Sequence, residues 1–298
     1  AHLVLKDGKG KYSALPYSFH SLALDADMHL DMQDEQQTMV LIHDLRAHTS
    51  KSSLQGNGMV KDLLGNMWID VQTNLDVNLA DARYFLPEEM LAEGRIKGKL
   101  GIQIHMNDVL EMALERGTIN GDLRLISVRY DADGIYASLP DNRLKVQIPN
   151  PQPTRKEVGW LAGELSAKSG KVKIDSLLQT ELGATKLSIE VSNILSDAPH
   201  LHASLALQSE EQIHVVMDSM DITMTQPTMT ASATYNMQDS TEIPSADAAI
   251  SFERLYGHYT DIQADVTGGK LTAALHAPHM KAGLEVQNLE ASMGEDYA

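Results

Sequence analysis

From Met67 the chain alternates. Met67, Ile69, Val71, Thr73, Leu75, Val77 and Leu79 interleave with Asn66, Trp68, Asp70, Gln72, Asn74, Asp76 and Asn78. One set is nearly all apolar and the other nearly all polar, the period of a strand with one covered face and one wet face. Similar runs recur at Ile96–Met106, Val172–Ile174, Leu187–Val191, Leu201–Leu207, Ile213–Met217, Met220–Met224, Met229–Tyr235, Ile262–Val266 and Met280–Val286. Each is about strand length, and most are bounded by Gly, Pro, Asn or Asp. The pattern predicts an all-β chain of antiparallel strands.

Helical patterns are sparse. "DARYFLPEEMLAEG" (Asp81–Gly94) predicts a short helix, with Pro87 at a first helical position, acids after it and Gly94 as the stop. "NDVLEMALERG" (Asn107–Gly117) predicts a helical turn with Asn107 as N-cap. "KEVGWLAGELSA" (Lys156–Ala167) is a third helical pattern. "IPNPQPTRKE" (Ile148–Glu157) carries Pro149, Pro151 and Pro153, which remove backbone donors and favour extended chain. It divides the sequence into a β-repeat region over 1–148, a Pro-rich joint over 149–157 and a second β-rich region over 158–298. That second region continues the first or forms a separate lid or sandwich. "MQDSTEIPSAD" (Met237–Asp247) marks a further break.

Two stretches repeat one motif. "GRIKGKLGIQI" from Gly94 and "GTINGDLRLIS" from Gly117 both read G-x-I-x-G-x-L-x-[IL]. On an alternating strand Gly94, Ile96, Gly98, Leu100 and Ile102 point the same way, and the glycines leave room for close backbone approach or a kink. In the second copy the apolar phase slips after Leu125 to Ile126, Val128 and Tyr130, which predicts a β-bulge near Leu125–Ile126. A sheet with one apolar face must cover it, and the helices are too few and short to do so. One solution is a sandwich with a self-filled core. The other is an elongated, curled antiparallel sheet, a taco-like groove or open barrel-like form with one or two short helices. Such a groove leaves part of its lining to a ligand such as lipid.

Composition narrows the classes. A compact chain of 298 residues supports a sizeable core, with roughly 75% of the unfolded surface buried. Aromatic residues are only 5%, so that core is built of Leu, Ile, Val, Ala and Met. The net charge is -17, spread as 15 Lys+Arg against 21 Asp+Glu in residues 1–150 and 9 against 20 in 151–298. Without clustered cations, nucleic acid and anionic membrane surfaces are poor partners. The absence of cysteine excludes disulfides, zinc ribbons, thiol catalysis and iron–sulfur clusters. No apolar run reaches transmembrane length. "GNG" (Gly56–Gly58) lacks the next Gly and the helix of a nucleotide fingerprint, and "SSL" lacks the glycines of a nucleophile elbow.

The order of motifs resembles a family. "SSLQGNG" (Ser52–Gly58) precedes "DVQTNLDVNLADARYFLP" (Asp70–Pro87), then "GRIKGKLGIQI", then "GTINGDLRLISVRY". This is similar to the repeats of AsmA-like proteins, relatives of TamB. The likeness covers roughly Asp44–Ile148, with echoes in "SGKVKIDSL" (Ser169–Leu177) and "TGGKLTAALHAP" (Thr267–Pro278). The family implies a periplasmic protein of Gram-negative bacteria, anchored in the inner membrane, with a long apolar β-groove. It implies a part in phospholipid movement and outer-membrane assembly, and no catalytic residues to carry over. The family's N-terminal anchor is not in this sequence, which reads as an excised segment.

Candidate chemistry is thin. His200 and His202 of "HLH" share one strand face at a zinc-chelating spacing, but Leu201, Ala203, Leu205 and Leu207 make the opposite face apolar, and no third ligand is near. "HAPHM" (His276–Met280) flanks a turn. Met217, Met220, Met224, Met229 and Met237 have the thioethers of a copper(I) site, yet Met220, Ile222 and Met224 share an apolar face and read as soft lining, as do Met28 and Met32 around Leu30. Asp131 with Asp133, or Glu210 with Glu211, pair carboxylates as a glycosidase does, but in turns and without aromatic platforms. We therefore expect no catalytic, metal or cofactor site. The expected role is a non-enzymatic envelope module that offers an apolar groove to phospholipid or another acyl lipid, possible envelope proteins being further partners. Val71, Leu75, Val77, Ile96, Leu100, Ile102, Ile119 and Leu123 are its expected lining. The alternative is a structural or adhesive β-sandwich without lipid cargo.

Overall fold

Short turns between alternating segments make sequence neighbours pair antiparallel. The computed structural model describes residues 1–11, 18–30, 37–82, 91–111, 116–132, 134–148, 159–175, 177–192, 200–236 and 242–293. Its first strands are β1 (His2–Lys11), β2 (Ser18–His29), β3 (Met39–His48), β4 (Ser53–Lys61), β5 (Trp68–Asn78), β6 (Leu91–His105), β7 (Thr118–Ala132) and β8 (Ile135–Ile148). Then come β9 (Gly159–Ala167), β10 (Gly170–Ile174), β11 (Leu178–Leu182), β12 (Thr185–Ser192), β13 (His200–Ser209) and β14 (Gln212–Met217). The last are β15 (Met220–Thr225), β16 (Thr228–Asn236), β17 (Ser245–Tyr259), β18 (Ile262–His276) and β19 (His279–Met293). Two short helices, α1 (Leu79–Ala82) and α2 (Met106–Leu110), flank β6.

β1 to β8 form an antiparallel meander. Past β8 the strands come as segments laid end to end. β7 occupies one edge of β8 along its whole length, so β9 and β10 share the other edge. Ala167 faces Asn142 and Lys171 faces Ser138, so the register passes Lys168–Gly170 without slipping. β12 with β11, β13 with β14, and β16 with β15 extend this arrangement. β17 rejoins both halves, with Ser245–Ser251 on β16 and Arg254–Tyr259 on β15, and β18 and β19 follow. The pairings from β8 to β17 close a ten-strand antiparallel ring, barrel-like in connectivity, with the remaining strands outside it.

The line between the two halves is a crease across long strands. The apolar phase jumps there by three residues instead of two: Leu125 to Val128, Asn142 to Leu139, Phe252 to Leu255, Val266 to Gly269. Bulged or left-handed residues supply the bend, namely Gly94 (φ 106), Ser127 (φ 51), Gln226 (φ 47) and Gly268 (φ 58). The bulge expected near Leu125–Ile126 is thus present one residue on, at Ser127, opposite a register shift between Glu93 and Arg95.

The sheet is mostly one layer thick. Only ten apolar side chains, Pro227 included, are buried among the described residues. The chain exposes 18630 Å², against about 12,000 Å² for a compact monomer of this length. Among the described residues the sizeable core expected from length is therefore not formed, because most strands have a neighbour at each edge and no second layer of described elements covers the apolar face.

Three helical expectations need correction. Gly94 does not stop a helix. It lies inside β6 as the bulge residue; of the described residues in this stretch Leu79–Ala82 are helical, and residues 83–90, and so Pro87, lie outside the described residues. Asn107 lies within α2, whose N-cap is the extended His105. The end of "KEVGWLAGELSA" is strand β9, where register on β8 and β12 overrides local helical propensity. Residues 149–157 lie outside the described residues.

Candidate functional site

The eight expected lining residues fall on one face. Val71, Ile102 and Ile119 are successive cross-strand partners, as are Leu75, Gly98 and Leu123; Leu100 pairs with Thr73 and Gly121, and Val77 with Ile96. All are half-buried. The two Gly-x-Ile-x-Gly stretches meet antiparallel, so Gly98 faces Leu123 and Leu100 faces Gly121. Each large side chain stands opposite a missing one.

The file containing Leu75 runs on across the sheet. It leads from Leu22 through Ala47 and Leu54 to Leu75, Gly98, Leu123 and Leu144. It continues through Leu165, Leu187, Leu207 and Met229 to Ile250, Leu271 and Leu284. Every step is a cross-strand pair, and at ~4.8 Å per strand the file spans about 60 Å along the sheet. Met217, Met220, Met224 and Met229 all join this face, while Met32 and Met237 lie outside the described residues.

The crease has its own row of residues on the apolar face. Leu125, Asn142, Ala167, Thr185 and Ser209 form its row of partners, and all are buried. Phe252 and Pro227 are buried too, and the Phe252 ring covers its partner Gly269. On the other face Lys168, Glu210, Gln226 and Glu253 are exposed. The sequence reading missed this row. Its signal was the pairs of polar residues that interrupt alternation, such as Lys168–Ser169 and Glu210–Glu211. Within the row the Thr185 hydroxyl donates to Ser209 Oγ at 3.1 Å, and Ser209 reaches the Ala184 carbonyl at 3.2 Å. A shallow hollow of about 360 Å³ opens further along the apolar face, between Ala248, Ile250, Leu271, Ala273, Ala282 and Leu284.

The polar face is a lattice of ion pairs. Lys97, Arg124 and Arg143 stand directly opposite one another, a repulsive file that carboxylates on either side neutralise. Asp141 accepts from Arg124 at 2.7 and 3.0 Å and from Lys168 at 2.8 Å, which holds its carboxyl well below the usual range. Arg143 does the same for Asp122, and Arg254 for Asp265. At Asp76 partial burial opposes ionisation, but Lys97 and Arg95 outweigh it and the net direction is downward. His43 and then His2 lower Asp27. A concavity of about 1110 Å³ lies on this face, floored by small residues such as Ser188, Ala206 and Thr230 and edged by Glu164, Glu190, Lys145 and Lys281.

The remaining candidates do not converge. His202 contacts Thr234 Oγ1 at 2.8 Å, and His200 lies 3.9 Å from Glu242. Among the described residues no three His, Asp or Glu side chains are arranged to hold a metal ion. Glu211 accepts the Ala184 N–H at 3.1 Å in the crease turn, and Asp131 is the last residue but one of β7; Asp133 lies outside the described residues. The motif order has a local cause at α1, where Asp81 accepts from Thr49 at 2.7 Å and Ser52 at 2.6 Å. That ties the Ser-rich turn to the helix. No helix among the described residues is long and apolar enough to cross a membrane.

Comparison with family models, curated proteins and solved structures finds no match for this chain. The likeness to AsmA-like proteins rests on the order of sequence motifs alone.

Proposed function

We propose that the chain is a non-enzymatic module whose apolar trough receives acyl chains of phospholipid or a similar lipid. One observation carries this reading: an unbroken file of apolar residues crosses the sheet from Leu22 to Leu284, and among the described residues no second layer of strands or helices packs over it. Each acyl CH₂ moved from water onto such a surface contributes ~0.8 kcal/mol, without any directional contact. The motif order supports a setting of AsmA type, in the periplasm, with an inner-membrane anchor on the full protein and a part in outer-membrane biogenesis. Detergent-free native mass spectrometry with lipid extraction tests it. Co-purifying or exchangeable acyl lipid is expected; a chain that carries and takes up none is not a lipid module.

The polar concavity of about 1110 Å³ favours a second reading. A structural or adhesive protein would hold an extended polar chain over Ser188 and Thr230 and leave the apolar face to protein contacts. In that case saccharide or peptide binds and lipid does not.

A further inference from the structure

The row along the crease holds one side chain that the fold leaves unused. Asn142 is 2% exposed, and neither its Oδ1 nor its Nδ2 has a hydrogen-bond partner. Thr185 and Ser209 in the same row bond to each other, but Ala167 stands between them and Asn142. The other cross-strand neighbour is Leu125, and Leu139 and Leu144 flank Asn142 along the apolar face. None of these four side chains offers the amide a hydrogen-bonding partner. The register does not need the amide either. Position 142 continues the apolar phase of Leu144 and Val146, and a leucine would extend it. Two unmet hydrogen-bonding atoms in an apolar floor call for a partner from outside.

We infer that Asn142 is the hydrogen-bonding contact for the ester or carboxyl oxygen of an acyl ligand that enters the crease. This rests on the acyl-trough reading above. The amide N–H donates to the ligand carbonyl while the chain lies against the leucine files. Because Asn142 is 2% exposed, the side chains over it have to shift for the ligand to reach the amide. The trough then selects acyl lipids bearing a carbonyl over plain hydrocarbon.

Methyl palmitate and octadecane, apolar probes of similar length that differ in the ester, separate the possibilities. Each is delivered from cyclodextrin to the whole chain and quantified by native mass spectrometry and extraction. The wild type is expected to bind methyl palmitate about tenfold more tightly than octadecane. Asn142→Leu and Asn142→Ala are expected to lose that preference, the two probes then binding alike, and Asn142→Leu to melt no lower than wild type. The smaller alanine keeps the test open if leucine does not fit. The Asn142 side-chain NH₂ resonance, identified by its loss in Asn142→Ala, is expected to shift with methyl palmitate and not with octadecane. Preference retained in the variants overturns the inference, as does a marked loss of stability in Asn142→Leu, which would give the amide a structural role. Equal binding of both probes to wild type overturns this inference alone. Binding of neither removes the acyl-trough reading and this inference with it.

Discussion

Leu100 of β6 faces Gly121 of β7, and a Cβ added to Gly121 would meet Leu100 Cδ1 at an ordinary 3.6 Å. Two residues away the roles reverse. Gly98 faces Leu123, but its φ is 151° and an added Cβ would run into the Asp122 carbonyl oxygen. The motif's glycines are therefore not equivalent. Gly121→Ala should stay within about 0.5 kcal/mol of wild type, whereas Gly98→Ala should cost about 2 kcal/mol or more. Urea unfolding of both variants checks the order; equal costs would refute it.

The crease makes its own prediction. Ser127 holds a left-handed backbone (φ 51) that a Cβ disfavours. Ser127→Gly should raise stability by about 0.5–1 kcal/mol, the relief of strain exceeding the extra entropy of glycine in the unfolded chain. A lower unfolding midpoint would mean that the bend does not sit at this residue.

Asp81 joins α1 to the turn before β4 through Thr49 and Ser52. Asp81→Ala leaves two half-buried hydroxyls without their charged acceptor and should cost about 2 kcal/mol. A double-mutant cycle with Ser52→Ala should show coupling of about 1 kcal/mol. Independent, additive effects would dissolve this link.

Asp141 titrates below the usual carboxylate range in the folded chain, because Arg124 and then Lys168 bind its charged form. Between that folded value and the ordinary 3.8 the unfolded state binds more protons, so stability rises with pH. Its contribution is fully present above the ordinary range and disappears as pH falls through the folded value. The difference between wild type and Asp141→Asn should therefore be constant near neutrality and shrink in acid. Because the group is exposed, salt should weaken it throughout. Denaturant titrations from neutral to strongly acid pH read both effects.

Ala273 is an exposed residue beside the hollow on the apolar face. Ala273→Glu can keep its carboxylate in water when the trough is empty, so melting should barely change. A bound acyl chain would have to share the face with a charge, so extracted lipid should fall about tenfold. Unchanged lipid would place the cargo elsewhere.

Much of the sheet was legible because alternation is local. A polar residue at 72 and apolar residues at 71 and 73 identify a strand with two unlike faces wherever that strand ends up. The expected strands around Val71, Leu187, Leu205 and Met229 appear for this reason. Propensity was a poorer guide where register competed with it. The segment ending at Ala167 has helical character but lies between β8 and β12, and ladder bonds on both edges decide its form.

Sequence alone determined the all-β character, the two unlike faces and the identity of the apolar positions, because side-chain period and turn chemistry act within a few residues. Tertiary structure decided three further things. It set Gly98 against Leu123 and Leu100 against Gly121, it aligned interruptions in successive strands into one crease, and it buried Asn142 without a partner. Each depends on register between strands distant in sequence, and register is fixed by the whole ladder rather than by any one segment.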